Sequence, residues 1–217
     1  MTHPRAVLFD LDGTLLDTLD DIADSMNATL EQMGAPVHPA SSYARFIGEG
    51  VELLVQRALP SDMALDEVLR RGVVQMRSHY ARRWDNKTRP YAGIPELLDE
   101  LARRGLTLAI LSNKPHDFTR RIVEKLLARW RFEPTLGSRE GVPKKPDPTV
   151  ALEIARQHGI APAAWLYLGD TPTDMKTAVA AGMLPVGVLW GFRGADELTG
   201  SGARHLIARP DSLLDLL

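Results

Sequence analysis

The sequence contains no cysteine. That excludes a disulfide framework, a thiolate metal site and a cysteine nucleophile together, and it agrees with a reducing compartment. Neither sign of charge is in large excess. Lys and Arg number 26 against 28 Asp and Glu, a net charge of −2 with a pI near 6.3. This gives no electrostatic basis for binding nucleic acid. Long hydrophobic runs are also missing. Met1-Thr2-His3-Pro4-Arg5 is followed by only four apolar residues before Asp10, too few for the apolar region of a signal peptide. No later segment approaches the ~20 apolar residues of a membrane span. The expected location is the cytoplasm. What is present is the usage of an ordinary folded domain, 44% hydrophobic and 25% charged, rather than that of a disordered chain. The 217 residues fit one large domain, or a core of about 130–150 residues carrying a smaller unit of about 70.

Short apolar runs recur at Ala6–Phe9, Leu106–Leu111, Trp165–Leu168 and Pro185–Trp190, with weaker ones at His205–Ala208 and Phe132–Leu136. Between most of them the apolar residues take helical spacing. Ile94, Leu97, Leu98 and Leu101 share one helix face; so do Ile122, Val123, Leu126 and Leu127, and Val150, Ala151, Ile154 and Ala155. Buried strands alternating with helices imply a parallel sheet covered on both faces. Residues 16–89 read as helical throughout, by Ile22, Met26 and Leu30, then Val51, Leu54, Val55 and Leu59, then Met63 to Arg83. They are expected to be a helical unit inserted after the first strand, with 1–15 and 90–217 forming one discontinuous α/β core. The paired arginines at 70–71, 82–83, 103–104 and 120–121 alternate with carboxylates on amphipathic helices and read as solvated faces.

Four segments carry chemistry. Phe9-Asp10-Leu11-Asp12-Gly13-Thr14 follows the first apolar run; carboxylates two apart on an extended backbone project to one side. They stand at the carboxyl end of a strand, where open α/β sheets place their ligands. A calcium loop needs glycine at its sixth position, and Leu15 stands there. Gly169-Asp170-Thr171-Pro172-Thr173-Asp174 follows another strand; Thr171 with Asp174 fits a capping box, and Pro172 the first helical position. If the two strands are parallel neighbours, Asp10, Asp12, Asp170 and Asp174 meet at one edge and repel one another. A hard divalent cation resolves this, and oxygen-only ligands favour Mg²⁺. Ser112-Asn113 brings a hydroxyl and an amide to the end of the second core strand, and Lys144-Lys145-Pro146-Asp147-Pro148 brings an ammonium before a helix starting near Asp147. A carboxylate nucleophile, a metal, a hydroxyl/amide pair and a lysine are the parts of a phosphoryl-transfer site.

The order DxDGT, SN, KPxP, GDxxxD resembles the four motifs of the haloacid dehalogenase-like superfamily, over essentially the whole chain. Phe46-Ile47-Gly48-Glu49-Gly50-Val51, Ser112-Asn113-Lys114-Pro115, Gly169-Asp170-Thr171 and Gly187-Val188-Leu189-Trp190-Gly191-Phe192 look like its phosphoglycolate phosphatase branch. The resemblance implies a doubly wound, Rossmann-like α/β core and a mobile helical cap over residues 16–89. It implies Asp10 as nucleophile and Asp12 as general acid and base. Mg²⁺ would be held by the Asp10 carboxylate, the Asp12 carbonyl and Asp170, with Asp174 behind or bound through water. Ser112 and Lys145 would bind the phosphoryl oxygens, with Lys145 chosen over Lys144 because it directly precedes Pro146. Backbone N–H groups near Gly13 and Asn113 would complete the cradle.

Asp12 argues for phosphate esters, because the dehalogenase branch lacks the second aspartate of this motif. Residues 16–83 contain no lysine, against a phosphonate-cleaving relative that uses a cap lysine as a Schiff base. The expected activity is Mg²⁺-dependent hydrolysis of a small phosphorylated metabolite, 2-phosphoglycolate first. The alternatives are a sugar-phosphate mutase, a nucleotide or pyrophosphate phosphatase of the same superfamily, and, behind these, a non-catalytic phosphate-binding protein. Substrate choice falls to the helical unit, where Gly48-Glu49-Gly50 is the candidate loop and Arg45 a candidate contact for a substrate carboxylate. The four tryptophans read as packing anchors.

Overall fold

Val7 and Phe9 of strand β1 (Ala6–Phe9) pack into one apolar cluster and Ala6 and Leu8 into another, and all four are fully buried. The period-2 alternation of the strand therefore feeds two cores, one on each face of a sheet. The structure, a computed structural model, describes residues 3–217; Met1 and Thr2 of the N-terminal stretch lie outside them.

The remaining strands are β2 (Leu16–Asp17), β3 (Arg89–Pro90), β4 (Thr107–Pro115), β5 (Thr135–Ser138), β6 (Trp165–Gly169), β7 (Leu184–Val188) and β8 (His205–Ile207). Six of them make one sheet in the order β5-β4-β1-β6-β7-β8, with every neighbouring pair parallel. On one face lie helices α5 (Ile94–Arg103) and α6 (His116–Leu126), through Ile94, Leu97, Phe118 and Ile122. On the other lie α7 (Thr149–Gln157) and α8 (Pro172–Ala181), through Val150, Ile154, Ala178 and Ala181. A short helix α9 (Ala195–Gly200) precedes β8. This is the doubly wound α/β arrangement. The chain winds outward from β1 through β4 to β5, then returns to β1's other side with β6, so the topological switch lies between β1 and β6. Ligands of such sheets bind beyond the carboxyl ends of the strands at that point.

Between β1 and β4 the chain forms α1 (Leu19–Met33), α2 (Ala40–Phe46), α3 (Val51–Ala58) and α4 (Asp66–Tyr80). Its outgoing and returning arms pair as an antiparallel ribbon, Leu16 opposite Pro90 and Asp17 opposite Arg89. The buried carboxylate of Asp21 binds both arms together. It accepts the Lys87 N–H (3.0 Å), the Thr88 N–H (2.8 Å) and the Thr88 hydroxyl (2.7 Å). An unpaired buried carboxylate is costly, so these donors fix where the helical segment joins the sheet.

The strand expected at 132–136 lies instead at β5, Thr135–Ser138. Phe132 is apolar because its ring packs edge-on against Phe9, with centroids 6.3 Å apart; hydrogen bonds to β4 start at Glu133 and Pro134, and the regular ladder starts at Thr135. The second core strand also runs beyond Leu111 to Pro115, which carries Ser112, Asn113 and Lys114 on strand backbone.

Candidate active site

The chain bends at Leu11, directly beyond β1, and the bend gives the two carboxylates of the first motif different partners. Asp10 points to the β6 side. There one oxygen from each of the Asp10, Asp170 and Asp174 carboxylates lies within 4.8 Å of the others, and all three residues are buried. Asp12 is bound from the β4 side by the Lys114 ammonium, at 2.9 Å and 3.1 Å to its two oxygens.

Asp170 follows β6 at the switch point. Its oxygens accept the Thr14 hydroxyl (3.0 Å) and the Phe192 N–H (2.8 Å), and the Thr14 carbonyl in turn accepts the Trp190 indole N–H (2.9 Å). Asp174 has two tasks, one per oxygen. Its Oδ2 caps α8 by accepting the Thr171 N–H (3.1 Å) and hydroxyl (2.6 Å), while Oδ1 accepts the Lys145 ammonium (2.6 Å). The backbone comes close enough only because glycines surround these carboxylates. A Cβ on Gly13, whose φ is +83°, would stand 2.3 Å from Asp170 Oδ2, and one on Gly191 2.3 Å from Asp170 Cβ. Both distances are below contact, and the first position also needs glycine for its backbone.

Of the two adjacent lysines, Lys145 is the one in the cluster. Its buried ammonium also lies 2.9 Å from Asp10 Oδ1, a buried oxygen with no other partner among the described residues. Lys144 instead reaches out to Glu52 at 2.7 Å. Asn113 positions Lys145. Its side chain accepts the Lys145 N–H (3.0 Å) and donates to the Lys145 carbonyl (3.0 Å) and to the Gly48 carbonyl (3.2 Å). The amide of Asn113 is thus spent on backbone, leaving Ser112, 4% exposed, as the polar side chain of that pair facing the cavity.

Pairing the buried charges leaves a remainder. Lys145 answers Asp174 and Lys114 answers Asp12, so Asp10 and Asp170 stand without a full ionic partner. Burial, then the charge of Asp174, pushes the Asp10 carboxyl up to about 7 against the pull of Lys145. Burial, followed by Asp174 and Asp10, raises Asp170 well above the carboxylate range. Burial pulls both lysines down, but the facing carboxylates outweigh it and hold them above the usual ammonium value. Two carboxylates without an ionic partner of their own and an oxygen-only donor set fit a hard divalent cation. The acidic triad can hold a metal ion.

On the Asp12 side a cavity of about 70 Å³ opens between the sheet end and the helical segment. Asp10, Asp12 and Ser112 line its base, and Gly48, Gly50, Leu54, Met76 and Tyr80 face them from the helical segment. The Gly48-Glu49-Gly50 loop therefore reaches the site through its glycines. Glu49 is not among the lining residues, and its carboxylate is bound by Arg57. Arg45 is exposed and does not line the cavity either. Two participants have no role assigned from the sequence. Lys114 stands two residues beyond Ser112 on an extended strand and so shares its side; that spacing was the available signal. Tyr80, from the end of α4, has its ring 4.5 Å from the Lys114 ammonium and had no signal beyond an aromatic in a helix. The tryptophans vary. Trp165 is fully buried, whereas Trp190 is half-buried and hydrogen-bonded to the Thr14 carbonyl.

The haloacid dehalogenase-like hydrolase family matches residues 7–188. A phosphoglycolate phosphatase of Aquifex aeolicus is 32% identical over 98% of this chain and 96% of its own length. That of Neisseria meningitidis is 34% identical over 99% of this chain and 91% of its own. A haloacid dehalogenase-like family hydrolase from Streptococcus pneumoniae superimposes with a TM-score of 0.88 at 26% identity, covering 99% of both chains. Acidic residues converging at the sheet's switch point and a sequence match through both halves of the sheet lead to the same place: the chain belongs to the haloacid dehalogenase-like hydrolase family, on its phosphoglycolate phosphatase branch, and is a phosphatase enzyme.

Proposed function

We propose that this phosphatase is Mg²⁺-dependent and hydrolyses a small phosphorylated metabolite, 2-phosphoglycolate first, through an aspartyl phosphate on Asp10. The observation that carries the reading is the position of Asp10. It is buried at the junction of the carboxylate triad and the cavity, with the Lys145 ammonium 2.9 Å from Oδ1, where a carboxylate nucleophile meets both a metal and a phosphoryl group. The substrate is the one for which the Aquifex and Neisseria relatives are named.

An Asp10 oxygen attacks phosphorus, and the bond from phosphorus to the ester oxygen breaks. Asp12 gives its proton to the leaving alkoxide. Water then attacks the acyl phosphate, Asp12 takes the water's proton, and inorganic phosphate leaves with the Asp10 carboxylate restored. Ser112 and Lys145 hold the transferring oxygens, and Lys145 balances charge on Asp10. The Asp10 and Asp170 carboxylates and the Asp12 carbonyl, with Asp174 behind them, would hold the Mg²⁺. When bound, the ion neutralises charge on the carboxylates and on the phosphoryl oxygens. Residues 1–15 and 90–217 form the catalytic core, and 16–89 form a cap that selects the substrate and excludes water.

The test is Asp10→Asn assayed with p-nitrophenyl phosphate and Mg²⁺. The amide cannot form the acyl phosphate, so turnover is expected to vanish while the circular dichroism spectrum and melting curve stay native. Activity like that of the unmodified chain would contradict the mechanism.

A further inference from the structure

We propose that Lys114, assisted by Tyr80, is the receptor for a carboxylate on the leaving-group part of the substrate, and that it sets the preference for short phosphorylated hydroxy acids. The proposal rests on the phosphatase reading above and names the residue that recognises the rest of the substrate.

Arg77 and Lys114 are the two basic side chains lining the cavity. Arg77 is 41% exposed at its side chain and engaged with Asp117 at 2.9 Å, whereas the Lys114 side chain is 5% exposed. A charge in that setting is screened little by salt or water, so it discriminates strongly between an anionic and a neutral neighbour. Lys114 carries three N–H donors, and its contacts run to the two oxygens of Asp12. Tyr80 supplies the second element. Its buried hydroxyl faces the Lys114 ammonium, makes no hydrogen bond to any other group among the described residues, and the residue lines the same cavity. An ammonium can only donate, so the Tyr80 O–H keeps its own proton to give, and a carboxylate oxygen beside the ammonium would accept it.

Position sets the length of the substrate. Asp12 protonates the leaving oxygen, and Lys114 touches Asp12, so the receptor stands within a few atoms of the ester oxygen. Much of the remaining wall, Ile47, Leu54, Met76 and Phe118 among it, is apolar and offers few partners for the hydroxyls of a sugar. A second phosphate, with nearly twice the charge and three acceptor oxygens, asks for more than one shared ammonium; a carboxylate does not. Arg45 and Glu49, the candidates read from the sequence, face elsewhere.

The experiment compares 2-phosphoglycolate with ethyl phosphate, which replaces the carboxylate by a methyl group. Phosphate release is measured with the full chain and Mg²⁺. The unmodified protein should prefer the acid, and Lys114→Met should lower the ratio of the two kcat/KM values by about 10- to 100-fold, the range of a hydrogen bond to a charged group. Tyr80→Phe should lower it by about 3- to 10-fold with Lys114 intact. If Lys114 served only to hold Asp12, both esters would lose the same factor and the ratio would stay put; that result overturns the proposal. A parent protein that cleaves both esters equally well also overturns it while leaving the phosphatase reading in place, whereas release from neither ester defeats both. Should Lys114→Met be inactive, calorimetric binding of the two esters in an Asp10→Asn background decides. Selective loss of the acid supports the receptor, and equal loss rejects it. Should Lys114→Met fail to fold, the Tyr80→Phe ratio carries the test alone.

Discussion

The Asp170 carboxylate accepts one hydrogen bond on each oxygen, from the Thr14 hydroxyl and the Phe192 N–H, and neither donor is charged. Asp10 beside it shares the single ammonium of Lys145 with Asp174. In the absence of a cation these two groups favour the protonated form, which ties stability to pH. The folded protein binds Asp10's proton more tightly than the unfolded chain does, with the value moving from 3.8 to about 7. The resulting stabilisation is full below about 3.8 and is lost as pH rises through about 7. A divalent cation replaces those protons, so its own contribution grows over the same window. We predict that the rise in melting temperature on adding Mg²⁺ over EDTA increases between pH 4 and pH 7. A rise independent of pH would separate the ion from these carboxylates.

At the scale of elements, the segment between β7 and α9 ties the sheet to the helical part of the chain. Phe192 gives its N–H to Asp170, and the next residue, Arg193, donates to the carbonyls of Ala44, Arg45 (3.3 Å) and Ile47 (3.0 Å) at the end of α2. The last carbonyls of a helix have no partners within it, and a cation there is favourable. Arg193→Ala is expected to lower unfolding free energy by about 1.5–3 kcal/mol, the range for hydrogen bonds to a charged group. Urea denaturation measures it, and an unchanged midpoint would mean that the contact adds nothing. The sequence could not reveal this arrangement, because Arg193 sits in a loop with no periodicity. What it could reveal were the features that local rules govern. Buried strands announced β1, β6 and β7, capping chemistry announced the start of α8 at Thr171, and the apolar stripe of Ile94, Leu97, Leu98 and Leu101 announced α5. Lys114 was legible as part of the Ser112–Pro115 motif but not as a partner of Asp12, because that contact depends on the strand continuing to Pro115 and on the register across the sheet. The split between Asp10 and Asp12 went unread because it depends on which lysine each one meets across the sheet.

For the whole molecule, a net charge of −2 spread over 217 residues conceals four buried carboxylates and two buried ammoniums at one sheet edge. The lack of cysteine accords with a site whose donors are all oxygen. The helical segment covers the Asp12 side of that edge with a largely apolar wall that also carries Arg77 and Tyr80, while the sheet supplies Lys114 and the groups that handle phosphorus. This division predicts that chemistry depends on the cation and choice of substrate on the cavity. The most direct measurement is phosphate release from a panel of phosphorylated metabolites with Mg²⁺, repeated in EDTA. The account predicts the highest kcat/KM for 2-phosphoglycolate, loss of release in EDTA and its return with added Mg²⁺. Isomer interconversion without free phosphate, or hydrolysis that persists in EDTA, would contradict it.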